Sequence, residues 1–188
     1  MRLQQGRLAL SATDLANHLS CHHLTALNLR LAKGEIAEPT WDNPHLRVLQ
    51  QRGFEHEKAY IDSLRAKGLA VLDISEGGEE TASERTITAM RDGVPVIVQG
   101  SFVSGEWRGR ADVLLRVEEA DARGAFGGWS YEVVDCKLSR ETKAETILQL
   151  CLYSELVVSK NWNGPVPGKK TGVDLRFRVE MIACWNDV

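Results

Sequence analysis

The sequence predicts a single α/β (α+β) domain, with a central mixed sheet that contains an antiparallel three-strand meander and is flanked by helices. Three observations predict it. Stretches near residues 11–32, 44–67, 81–91 and 139–159 repeat apolar residues at helical spacing. Segments 94–99, 107–117 and 129–137 are rich in valine, leucine and tryptophan and read as strands. The connections between these three segments are short or polar, which favours antiparallel neighbours.

In chain order, Ser11 caps a helix reaching about Ala32, with Asp14 three residues later in a capping-box arrangement and Gly34 closing it. Leu15, Leu19, Leu24, Leu27 and Leu31 give that helix an inward stripe. Asn43-Pro44 starts a second helix that runs to about Lys67 and stops at Gly68. Its stripe of Leu46, Leu49, Gly53, His56, Tyr60 and Leu64 places His56 on the core face. A short strand over Leu69–Leu72, a turn at Glu76–Glu79 and a helix over Thr81–Arg91, ended by Gly93, follow. Val94–Gln99 reads as a strand with Pro95 at its start, where a missing donor does least harm.

After a turn at Ser104–Glu106, alternation over Trp107–Val117 sets Trp107, Gly109, Val113, Leu115 and Val117 on one face. Arg108, Arg110, Asp112 and Arg116 fall on the other. Trp129–Lys137 is the third strand of the meander. Ser139 or Thr142 caps a helix to about Ser159, apolar over most of its circumference and therefore expected to be largely buried. Residues 161–171 read as a loop, and Val173–Trp185 alternates as a half-exposed strand.

A chain of 188 residues with 43% hydrophobic content is long enough for one domain with its own core. We read residues 1–188 as that domain, with an N-terminal helical segment over 1–43 and the core over 44–188. The longest apolar runs, Val94–Val98 and Ile147–Leu152, fall short of a membrane span. No signal-type segment opens the chain, so a cytoplasmic protein without a membrane partner is expected. Cys21, Cys136, Cys151 and Cys184 are widely spaced, which indicates reduced thiols rather than a disulfide framework or zinc ribbon. The net charge of -3 lacks the overall basicity of many nucleic-acid binders. Arg108, Arg110, Lys137, Arg140 and Lys143 could still form a local basic lane.

The strongest chemical signal is Tyr131-Glu132-Val133-Val134-Asp135-Cys136-Lys137. Strand alternation brings Asp135 and Lys137 out on the same side, a carboxylate beside an amine. Both are poor residues for a buried strand, and such a local conflict points to a site. Gln149 and Tyr153, four apart, share one helix face.

His56 in Arg52-Gly53-Phe54-Glu55-His56, Asp112 in Gly109-Arg110-Ala111-Asp112, Asp135 and Lys137 in Val133–Lys137, and Gln149 with Tyr153 occur in a telling order. In that order and on those elements the chain resembles the PD-(D/E)xK nuclease superfamily. More narrowly it resembles the RecB-like exonuclease branch, which includes CRISPR-associated and helicase-fused nucleases. The likeness spans residues 52–153 and implies a restriction-endonuclease-like core. It implies a metal-dependent deoxyribonuclease that hydrolyses phosphodiester bonds of single-stranded DNA or DNA ends, as an exonuclease in DNA repair would, with a helicase domain or subunit as a possible partner.

By the same resemblance, His56, Asp112, Asp135 and the backbone carbonyl of Cys136 would hold Mg²⁺ or Mn²⁺, and Asp112, Asp135 and Lys137 would be catalytic. Lys137 would position or deprotonate the attacking water, or stabilise the phosphate. Gln149, Tyr153 and Arg110 would face the nucleic acid, although Tyr153 reads equally well as ordinary core. Glu55 and Glu57 flank His56 and are alternative ligands, but only His56 matches the motif. Cys21 stands where this branch carries the first cysteine of an iron–sulfur cluster. No cysteine triplet follows the last core strand, so a complete cluster is not expected and the chain reads as truncated at its C-terminus, or as having lost the cluster. Two other readings accompany this one: a non-catalytic nucleic-acid-binding or scaffold module in a helicase–nuclease system, and an unrelated α+β domain whose Asp135 and Lys137 are surface chemistry.

Overall fold

In the computed structural model, which describes residues 1–4, 6–40, 43–118, 128–139, 141–161 and 177–181, the chain opens not on a helix but on two short antiparallel strands, β1 (Arg2–Gln4) and β2 (Arg7–Ala9). This corrects the purely helical reading of residues 1–43. Leu10 then bridges to Trp107, tying the N-terminal strands to the main sheet. Helices α1 (Ala12–Ser20) and α2 (His22–Ala32) replace the single helix expected over 11–32. The break is Cys21, whose extended backbone (φ -160, ψ 110) ends one helix and starts the next. Its N–H bonds the carbonyl of Asn17 and its carbonyl accepts from Leu24, so no backbone group is stranded at the kink. Leu19 consequently leaves the expected inward stripe and is 59% exposed. Ser11 and Asp14 do form the expected capping box.

Helix α3 (Pro44–Ala66) begins as the sequence indicates, with the Asn43 side chain accepting from His45 N–H and Pro44 at the first turn. Gly68 (φ 80) supplies the left-handed turn that ends it. Only its C-terminal half reaches the core: His56, Ile61 and Leu64 are buried, whereas Leu49 is 57% and Phe54 68% exposed. Leu46 and Leu49 therefore do not extend the buried stripe.

Strand β3 (Val71–Asp73), helix α4 (Glu79–Arg91) and strands β4 (Val96–Ser104), β5 (Trp107–Glu118) and β6 (Trp129–Lys137) follow, then helix α5 (Ala144–Asn161) and strand β7 (Phe177–Met181). The main sheet has the order β3-β4-β5-β6-β7. Its centre is the antiparallel β4-β5-β6 meander, and β3 and β7 join the two sides in parallel. The fold is thus a mixed α/β sheet flanked by helices. Of the last expected strand, 173–185, only β7 is among the described residues; of the expected loop over 161–171, Asn161 instead ends α5 and the rest lies outside them.

Helices cover both faces. Ile61 and Leu64 of α3 pack with Val96, Val98, Val113 and Val134 on one side. On the other, Ala82, Ala89 and Met90 of α4 and Leu150, Tyr153, Leu156 and Val157 of α5 pack with Ile97, Phe102, Ala111, Leu114 and Val133. Each fully buried valine, leucine, isoleucine, phenylalanine or methionine among them contributes about 1.5–3 kcal/mol. Helix α5 buries one stripe rather than its whole circumference; Ile147 and Glu155 remain exposed.

Strict alternation fails at one place, and that place matters. Ala111 and Val113, two apart, belong to opposite clusters, as do Val98 and Phe102. Both central strands change face around Gln99 and Asp112. Gln99 has φ 55, the one positive φ of a non-glycine among the described residues.

Candidate functional site

The β4–β5 ladder pairs Val98 with Val113 and Gly100 with Ala111, so Gln99 lies across from Asp112 without pairing. The β5–β6 ladder ends at Val113 and Val134; one step further, Asp112 lies across from Asp135. Gln99, Asp112 and Asp135 therefore form one row across three strands, at the point where the sheet changes face. Here the ladder is closed by a side chain. The Cys136 N–H donates to Asp112 Oδ2 at 2.9 Å.

Asp135 is 1% exposed. Its Oδ1 accepts from Lys137 Nζ at 3.0 Å and from Gln149 Nε2 at 3.1 Å. Lys137 is half-exposed, so its ammonium bridges a buried carboxylate and the surface. The Tyr153 hydroxyl accepts from the Arg110 backbone N–H and lies within reach of Gln149, which links α5 to both strands. The side chains of Asp135, Lys137, Gln149 and Tyr153 thus come together as the sequence indicated. Arg110 enters through its main chain, its side chain being exposed.

The electrostatics follow from burial. Desolvation first, and the charge of Asp135 second, push Asp112 up from 3.8 to about 7; Glu57 adds to the rise, while the Cys136 N–H and Lys137 oppose it. Two neighbouring carboxyls, Asp135 buried and Asp112 half-buried, resist ionising together unless a cation joins them. Burial likewise raises the Tyr153 hydroxyl, keeping it neutral and able to donate.

His56 is 7% exposed on α3, and its Nε2 has no hydrogen-bond partner among the described residues. Asp135 Oδ2 is in the same condition. Arg108 Nε and Arg116 Nε also lack a partner among the described residues, but a cationic guanidinium nitrogen is no metal donor. An unsatisfied buried polar atom costs about 1–3 kcal/mol, so the imidazole and carboxylate atoms call for a physical reason. Carboxylate oxygen with one imidazole nitrogen is a donor set suited to Mg²⁺ or Mn²⁺. The residues fit such an ion in kind. Among the described residues, however, no three His, Cys, Asp or Glu side chains already stand close enough to enclose one.

Two cavities flank the carboxylates without being lined by them. One, of about 330 Å³, lies between the N-terminal segment and β5 and is lined by Ser11, Asp14, Arg108, Arg110 and Tyr153 among others. The second, of about 360 Å³, lies on the α3 side and includes Phe54, Glu57, Lys58, Val98 and Gln99. Gln99 is the residue that sequence reasoning missed. Its amide donates to Glu57 Oε1 at 2.6 Å. The available signal was a lone amide side chain closing the apolar run Val96-Ile97-Val98.

Other expected residues lie elsewhere. Glu55 is exposed and accepts from Gln51 on the outer face of α3. Cys21 is an exposed free thiol at the α1–α2 break, and Cys184 and Arg140 lie outside the described residues. No helix among the described residues is long and apolar enough to cross a membrane. Comparison with known proteins assigns no family here: no family model, curated protein or solved structure matches the chain.

Proposed function

We propose that this chain is a divalent-metal-dependent deoxyribonuclease of the PD-(D/E)xK type, in the manner of the RecB-like branch, acting on single-stranded DNA or DNA ends. One observation carries the proposal: half-buried Asp112 and buried Asp135 meet in one row beside Lys137, and the unpartnered atoms Asp135 Oδ2 and His56 Nε2 are donors of the type a hard cation takes. His56, Asp112, Asp135 and the Cys136 carbonyl would hold Mg²⁺ or Mn²⁺. Such an ion, when bound, supplies Lewis acidity toward the phosphodiester and lowers the pKa of water.

The chain's own residues do the rest. Gln149 fixes Asp135 by holding Oδ1, which leaves Oδ2 as its available oxygen. Lys137 presents a proton-bearing Nζ at the rim, placed to orient the nucleophile or to meet charge developing on the phosphoryl oxygens. Tyr153 and Arg110 offer a neutral hydroxyl and an exposed guanidinium to the strand. A helicase domain or subunit is the partner this reading suggests.

The test is cleavage of end-labelled single-stranded and duplex DNA with Mn²⁺ or Mg²⁺. Cleavage is expected with metal and not with chelator. Lys137→Ala should lower the rate about 10²–10⁴-fold, the range for a positioned proton-transfer group. Metal-independent binding of DNA without any cleavage would instead establish a scaffold module.

A further inference from the structure

The feature that the nuclease reading leaves unexplained is the strained residue Gln99. A left-handed φ of 55 is strained for a non-glycine residue and persists only where the surroundings enforce it. Here the residue sits in the row with Asp112 and Asp135, and its amide donates to Glu57 Oε1 at 2.6 Å. Glu57 follows His56 on α3, so the contact draws a second α3 side chain toward Asp112. A carboxylate held by one oxygen keeps the other for a ligand.

Resting on the cation site argued above, we propose that Glu57 is a further cation-holding residue of that site and that Gln99 is its positioning residue. Three carboxylates then approach from three elements: Glu57 from α3, Asp112 from β5 and Asp135 from β6. Acidic residues alone would not make a site. The pointer from outside the acids is His56, 7% exposed, whose Nε2 has no partner among the described residues; Asp135, 1% exposed, adds an Oδ2 in the same state. Glu57 is also one of the charges that Asp112 feels, as proximity requires. The cavity bordered by Phe54, Glu57 and Gln99 gives this side of the row its access to solvent.

Titrating the metal-free full chain with Mn²⁺ by calorimetry, in parallel with thermal melts, tests the assignment. Glu57→Gln should weaken Mn²⁺ at least about tenfold, and Gln99→Gly about tenfold, near the lower end for residues that orient ligands. Glycine accepts φ 55 without strain, so Gln99→Gly should melt at or above the wild-type midpoint while binding Mn²⁺ less well. Loss of folding therefore cannot mimic loss of positioning, and Gln99→Asn, which tolerates this backbone and keeps an amide, should recover part of the affinity. If Asp135→Asn loses Mn²⁺ while Glu57→Gln and Gln99→Gly both bind it with wild-type affinity, this assignment is overturned and the nuclease reading stands. If the wild-type chain binds no Mn²⁺, both fall together.

Discussion

At the scale of the residue, the candidate site depends on a close approach that only one amino acid permits. A Cβ built on Gly109 would lie 2.8 Å from Tyr153 Cε1 and 3.0 Å from Leu156 Cδ1. Tyr153 is 8% exposed, so its ring has little room to retreat. Gly109→Ala should therefore cost about 1–3 kcal/mol, the usual penalty of overpacking, measured as a lower denaturant midpoint. It should also move the Tyr153 hydroxyl off the Arg110 N–H. An unchanged midpoint would show that the ring is not pinned there. The sequence displayed Gly109 beside Arg110 and Asp112 but could not say why a glycine was needed, because the reason lies in a helix more than forty positions later.

At the scale of the element, α3 carries two opposite messages on one continuous helical stripe. Its apolar spacing predicted burial from Leu46 to Leu64, yet the N-terminal half stands away from the described core. Periodicity reports which residues share a face, not whether another element arrives to cover it. The two halves should respond differently to substitution. Leu64→Ala, inside the packed cluster, should lose about 2–5 kcal/mol, and Leu49→Glu less than about 0.5 kcal/mol, by urea denaturation. A large loss at Leu49 would mean that this face is covered. The expected helix over 11–32 teaches the same lesson from the other side. Helical spacing continued through Cys21, but the structure breaks there and both ends find backbone partners within the break.

At the scale of the whole molecule, the buried carboxyls should couple folding to pH and, through the proposed cation site, to Mn²⁺. Asp112 holds its proton more tightly in the folded chain, near 7, than at its ordinary 3.8. Between those values the native state binds more protons than the unfolded state. Stability of the metal-free protein should therefore fall as pH rises from about 4 to about 7 and level off above. Asp112→Asn should flatten that slope in a urea-midpoint series. Added Mn²⁺ should oppose the fall, because a ligand at a hundred times its Kd stabilises the native state by about 2.7 kcal/mol. Stability that climbed through this window in Asp112-dependent fashion would contradict the burial argument.

The sequence by itself determined the meander, the strand Trp129–Lys137, the bounds of α3, the cap at Asn43 and the stop at Gly68, because each is encoded within a few neighbouring residues. It also gave the pairing of Asp135 with Lys137, through period-two alternation, and of Gln149 with Tyr153, through period four. Only the tertiary structure decided that Gln99, Asp112 and Asp135 share a row and that Glu57 joins it through Gln99. It alone revealed that two central strands change face at that row. The physical reason is that local periodicity fixes direction within an element, whereas cross-strand register and a left-handed backbone at one glutamine are settled by packing between elements far apart in the chain.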